Sequence, residues 1–169
     1  MKDPDARYKT IFQNLKKIGI LDVKEHAWFT APFSRNLSVE VLSHSAGVKK
    51  IVLAHHYNLR GAVMCDPEMD VRVFEETEMA EALTLKQDGT GLYMSESLVD
   101  QQEGLRLFLS VYSESGEANL LIKDLINSSL DRWLQSIIEQ GFKPGNELQA
   151  DHNPKKLADL VKDRARTSL

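Results

Sequence analysis

Apolar residues recur along this chain with two periods, and the switches between them outline the fold. Tyr8, Ile11, Phe12, Leu15 and Ile18 are spaced by three and four, as one stripe of an amphipathic helix requires. Asp3 is placed to cap that helix, with Pro4 at its first position and Gly19 at its end. A loop containing Trp28 and Pro32 follows, and the period then drops to two. Leu37, Val39 and Val41 alternate with Ser38, Glu40 and Leu42, and Ser45-Ala46-Gly47 supplies a turn. Lys50 to Asn58 reads as the next strand, with Ile51, Leu53, His55 and Tyr57 on one face and Val52, Ala54 and His56 on the other. A turn near Asn58 to Gly61 leads into Ala62 to Cys65, after which Asp66-Pro67 interrupts the pairing, because proline has no N–H to give a ladder. Met69, Val71 and Val73 resume the alternation, Glu75-Glu76-Thr77-Glu78 turns the chain, and Met79 to Leu85 returns as another strand.

Asp88-Gly89-Thr90-Gly91 marks a further turn. Leu92 to Ser97 and Leu105 to Tyr112 form a closing hairpin, although the second run also fits the start of a helix. From Ala118 to Gln140 the helical period returns: Leu121, Ile122, Leu125, Ile126, Leu130, Trp133, Leu134, Ile137 and Ile138 line one broad face, and Gly141 stops it. The predicted class is α+β, an antiparallel meander sheet with the N-terminal helix and the long C-terminal helix packed on one face. Residues 1–142 make this single domain, and residues 143–169 form a polar linker and a weak basic tail helix. The tail helix opens at Asn153-Pro154 and has only Leu157, Leu160 and Val161 on its apolar side, so it must dock or fray.

A length of 169 residues suits one domain, and 42% hydrophobic with 27% charged residues is ordinary globular composition. The first residues lack the apolar run of a signal peptide, and no stretch approaches the roughly 20 apolar residues of a membrane span, so a cytoplasmic setting without a membrane partner is expected. The lone Cys65 agrees with a reducing compartment and reads as a half-buried strand residue. Net charge is −4, but residues 65–103 hold 11 Asp and Glu against 2 Lys and Arg. That acidic centre repels a phosphate backbone, which argues against direct duplex binding there. Residues 152–169, with 5 basic against 2 acidic side chains, keep a nucleic-acid accessory role as one alternative.

His55, His56, Asp66, Glu68 and Asp70 are ligand types that suit a divalent metal. Adjacent histidines on a strand point to opposite faces, so only one of them joins a given site, whereas Asp66, Glu68 and Asp70 share one wet face if the alternation holds. A metal-dependent hydrolase is therefore the second alternative, with Glu68 and Asp70 also placed as an acid and base pair. A His-Glu-x-x-His signature and a Gly-x-Ser-x-Gly elbow are both missing, and Asp88 to Gly91 lacks the lysine and following helix of a phosphate loop. Trp28 and Trp133 read as packing anchors. No catalytic residue and no cofactor is assigned. The leading reading is a small non-enzymatic interaction or regulatory protein that binds a protein partner through an acidic surface, with His56, Asp66, Glu68, Asp70, Glu75, Glu76 and Glu78 as the contact residues.

A further pattern joins these segments. Leu53-Ala54-His55-His56-Tyr57, Gly61, Met64, Asp66-Pro67-Glu68-Met69, Gln87-Asp88, Gly91 and Tyr93 are followed by Leu130, Trp133-Leu134 and Glu139-Gln140-Gly141-Phe142. In these residues, over roughly positions 8 to 143, the chain resembles an uncharacterised domain family, of unknown function, from bacteria, phages and plasmid-type elements. It departs from that pattern at His56-Tyr57, where the following region is usually more polar, and by the inserted Leu98 to Tyr112 hairpin. The family has no assigned catalytic residues to carry over. The resemblance implies a mobile-element setting, and a counter-defence role is its concrete form, since an acidic block imitates nucleic acid toward a basic host protein.

Overall fold

The stripe of Ile11, Phe12, Leu15 and Ile18 forms the buried face of helix α1 (Ala6–Ile18) in the computed structural model, which describes residues 3–59, 61–88 and 106–145. The helix starts two residues later than the Asp3-Pro4 signal suggests, because the Asp3 carboxylate accepts the Asp5 N–H at 3.0 Å and Asp5 itself precedes the first turn. Gly19, at φ +98°, ends it with its N–H on the Leu15 and Lys16 carbonyls. A 3₁₀ turn (Ile20–Asp22) follows. The carbonyls of Leu21 and Val23 receive the ammonium of Lys49, a lysine buried at the edge of the core. Burial pushes its pKa down, while Glu75 and Asp22 pull the other way.

Among the described residues the period-two segments become seven antiparallel strands: β1 (His26–Thr30), β2 (Leu37–Ser45), β3 (Val48–Leu59), β4 (Ala62–Phe74), β5 (Met79–Asp88), β6 (Arg106–Ser110) and β7 (Lys143–Pro144). Their order is β6-β5-β4-β3-β2-β1-β7. The β2–β3 hairpin turns on Ala46 and Gly47, both at positive φ, as a tight turn matched to the strand twist demands. Strand β1 takes part of the expected loop. Its Ala27 and Phe29 pair with the inward Val39 and Leu37, and Trp28 stands opposite Ser38.

Strand β4 runs unbroken through Asp66–Pro67, a cis peptide bond, where an interruption is expected from the sequence. The register explains how the ladder tolerates proline. Ala54 faces Glu68 and His56 faces Cys65, so Asp66 and Pro67 together oppose His55 alone in a β-bulge. Of the run Leu105 to Tyr112, Arg106–Ser110 resolves as strand rather than helix, and this β6 pairs with Thr84 to Asp88 of β5. The turn at 89–91, the run at 92–97 and the tail helix from Asn153 lie outside the described residues.

Among the described residues the first half of β5 has no strand partner on its β6 side and is closed by helix α2 (Leu120–Glu139) instead. Asn127, fully buried, accepts the Ala82 N–H on Oδ1 at 2.7 Å and donates from Nδ2 to the Lys123 carbonyl at 2.8 Å. One side chain thus stands in for a neighbouring strand. The helix is capped by the Asn119 side chain, which accepts the Ile122 N–H, and Gly141 ends it at φ +75°. Ile126, Leu130, Leu134 and Ile137 reach the core. Leu121 and Leu125, expected on the same face, are exposed together with Leu120, since the buried stripe begins only where Asn127 meets β5.

Helix α2 starts beside Val111, just past β6, and hands the chain to β7 at the opposite edge. Its 20 residues span about 30 Å at 1.5 Å each, and six strand spacings of about 4.8 Å come to nearly the same width. The helix therefore straps one sheet edge to the other. Lys143–Pro144 pairs with β1, and the Gly145 N–H bonds the Trp28 carbonyl at 2.7 Å, so the segment read as linker begins inside the sheet. Both helices share one apolar cluster with Leu37, Val39, Ile51, Leu53, Val71 and Ala82. Among the described residues no helix is long and apolar enough to cross a membrane.

Candidate functional site

The bulge in β4 decides which side chains meet. Met69, Val71 and Val73 enter the core, Glu68 and Asp70 take the opposite face, and the extra residue returns Asp66 to the helix side beside His55. There an open cleft of about 230 Å³ is lined by Ser34 and Arg35 from the β1–β2 loop, by His55 and Asp66, and by Gln140 and Phe142 from the end of α2. The His55 Nδ1 lies 3.1 Å from the Asn36 carbonyl. A carbonyl only accepts, so Nδ1 carries the proton and Nε2 offers a lone pair. The imidazole meets Trp133 edge-on at 5.3 Å between centroids and Phe142 at 5.7 Å. Burial holds its pKa below the ordinary 6.5; Arg35 pushes the same way, and the Asn36 carbonyl and Asp66 oppose.

Arg35 lays its guanidinium over the Tyr57 ring, 4.3 Å from the centroid, and the Tyr57 hydroxyl is tied to the Asp88 carbonyl at 2.8 Å. The Asp66 Oδ1 accepts from Gln87 Nε2 at 3.3 Å. On the cleft rim Ser34 donates to Gln140 Oε1 at 2.8 Å, and Gln140 Nε2 is held by Ser136 at 2.7 Å.

On the other sheet face Glu68 stands opposite Lys86, and Lys50 lies 3.6 Å from Asp70. Burial raises the Glu68 pKa, with Asp70, Asp88 and Glu40 adding to the rise and Lys86 opposing it. His56 is held low by burial first, then by His55 and Lys86. Cys65 gives both its N–H and its thiol to Asp88 Oδ2, at 3.2 and 3.3 Å; burial, then that bond, pushes the thiol up to about 12. Asp66, Glu68 and Asp70 therefore do not share a face, contrary to the expectation from alternation. Among the described residues no three His, Cys, Asp or Glu side chains come together to hold a metal ion.

Nearly the whole architecture, residues 7–143, matches the family model described as a domain of unknown function, DUF6908. The chain belongs to this DUF6908 family. Neither curated proteins nor solved structures give a significant match.

Within this DUF6908 domain the residues expected from the sequence to meet a partner fall in three places. Asp66 lines the cleft, His56, Glu68 and Asp70 lie on the opposite face among lysines, and Glu75, Glu76 and Glu78 are exposed in the β4–β5 turn. In the turn, the Glu75 carboxylate meets His44 Nε2 at 2.6 Å. Glu81 is buried and internally neutralised, touching Arg72, the Tyr112 hydroxyl at 3.2 Å and Lys123 at 3.4 Å. Arg35 carries no periodic or motif signal, and Gln140 stands in the Glu139-Gln140-Gly141-Phe142 element of the family pattern without any sign of a cleft; only the tertiary fold brings the two together there.

Proposed function

We propose that this DUF6908 domain is a non-enzymatic binding module that captures a basic protein partner through the acidic end of its sheet. The observation that carries the reading is the β4–β5 turn, where Glu75, Glu76 and Glu78 are solvent-exposed and only Glu75 has an ion-pair neighbour among the described residues. Exposed charges without local compensation steer a complementary surface at long range, whereas Glu68 and Asp70 have Lys86 and Lys50 beside them. In its concrete form the module serves a mobile element in the cytoplasm as a regulatory or counter-defence factor, presenting glutamates to a host protein that binds phosphates. The single buried thiol suits that reducing compartment. Nothing in the described residues favours the metal-hydrolase or nucleic-acid readings.

The test compares wild type with a Glu76→Lys, Glu78→Lys double variant as bait in cell extract, at about 50 and about 500 mM salt, across which screening becomes strong. Both positions are exposed, so the melting temperature should stay within a degree or two. A basic protein should be retained by wild type at low salt only and lost on charge reversal; the association rate of the purified pair should fall with ionic strength. A bound set unchanged by both salt and reversal would sink the proposal.

A further inference from the structure

We propose that the cleft between the β1–β2 loop, the β4 bulge and the end of α2 binds a small zwitterion of the free α-amino-acid class, with Arg35 receiving its carboxylate and Asp66 its ammonium group. This site is independent of the acidic turn, which lies some nine residues further along β4, or about 30 Å at the rise of an extended strand.

The argument starts from charge. Arg35 and Asp66 line one cleft, yet neither forms an ion pair with the other or with any described residue. Arg35 is held by the Tyr57 face and Asp66 by the neutral amide of Gln87. A stacked guanidinium keeps the N–H edges of its fork free for a carboxylate, a match of two parallel hydrogen bonds. An unpaired carboxylate beside it disfavours a ligand that is only anionic, and the guanidinium disfavours one that is only cationic. A dipolar molecule satisfies both.

The remaining groups narrow the class. His55 Nε2, the free lone pair of a neutral imidazole, accepts a hydrogen bond beside Asp66, as an ammonium with three donors requires. Phe142, with Trp133 behind His55, supplies an apolar floor for a side chain. A volume of about 230 Å³ falls below the roughly 300–1,000 Å³ of sites for drug-sized ligands, which favours a metabolite of amino-acid size over a nucleotide. The Ser34–Gln140–Ser136 chain of hydrogen bonds pins the rim to α2, so the cleft is preformed.

The experiment measures thermal shift and Trp fluorescence of the full chain against the twenty common amino acids at about 10 mM, each beside the amine lacking the carboxylate and the acid lacking the amino group. The expected result is that a subset of amino acids raises the melting temperature and changes the fluorescence of Trp133, while their one-charge analogues do neither. Arg35→Gln and Asp66→Asn should each weaken binding at least about tenfold with the ligand-free melting temperature retained. Because a lost response could also reflect lost folding, Asp66→Glu serves as a second variant and should keep part of the affinity. The proposal is overturned if no amino acid produces a shift, if the one-charge analogues bind as well as the zwitterions, or if folded Arg35→Gln and Asp66→Asn proteins bind as wild type does.

Discussion

Replacing Asn127 with leucine removes the amide that closes the open half of β5 while keeping the side-chain volume close to the original. In wild type the Ala82 N–H is buried and bonded to Asn127 Oδ1 at 2.7 Å. The leucine leaves that donor without a partner, which costs about 1–3 kcal/mol. The Lys123 carbonyl loses less, because it keeps the backbone bond from Asn127 that the helix supplies. Against this stands the avoided desolvation of an amide, so a net loss of about 1–2 kcal/mol is expected, or roughly 2–8 °C in melting temperature for a chain of this size. Urea denaturation followed by circular dichroism measures the first quantity. Hydrogen exchange of the Ala82 amide provides the local check, since it should lose protection more than the amides of β3. A leucine variant as stable as wild type, with Ala82 equally protected, would show that the edge is closed by something other than Asn127.

Two further outcomes follow from titration. His55 and His56 both have folded pKa values below the unfolded 6.5, so the unfolded chain binds more protons as pH drops through that value. Stability from these groups is complete above about pH 6.5 and declines below it, and the melting temperature should fall between about pH 7.5 and 5.5 with a slope that His55→Gln and His56→Gln each reduce. A slope unchanged in both variants would refute the assignment. Cys65, with its thiol at about 12, should resist alkylation at about pH 8 in the native protein and react once urea unfolds the chain. Rapid native labelling would contradict its bond to Asp88.

What the chain declares in advance is the part governed by period. Ile11 to Ile18, Ile126 to Ile137 and the alternation in β2, β3 and the second half of β4 all sit as their spacing predicts. What it conceals depends on breaks in period. Five residues of β1, followed closely by Pro32, are too few to show alternation, and Pro67 reads as the end of a strand because its missing N–H is visible while the bulge that excuses it is not. That bulge also separates Asp66 from Glu68, so the site could not be assembled by counting. Leu121 and Leu125 follow the helical period perfectly well, but the stripe extends past the surface it packs on.

The strap formed by α2 bears on how the chain is made. Strands β1 to β5 follow one another in the sequence and pair with immediate neighbours, so they are free to assemble while synthesis continues. β7 instead pairs with β1 across more than a hundred residues, Phe29 with Pro144. Until α2 leaves the ribosome, α1 is the one described helix able to cover the sheet's apolar face, and Leu53, Met69 and Val71 remain within reach of any other hydrophobic surface. Seating α2 then closes that face, plugs β5 and delivers β7 together, which makes the last segment of the domain to be synthesised the one that commits it to its native state.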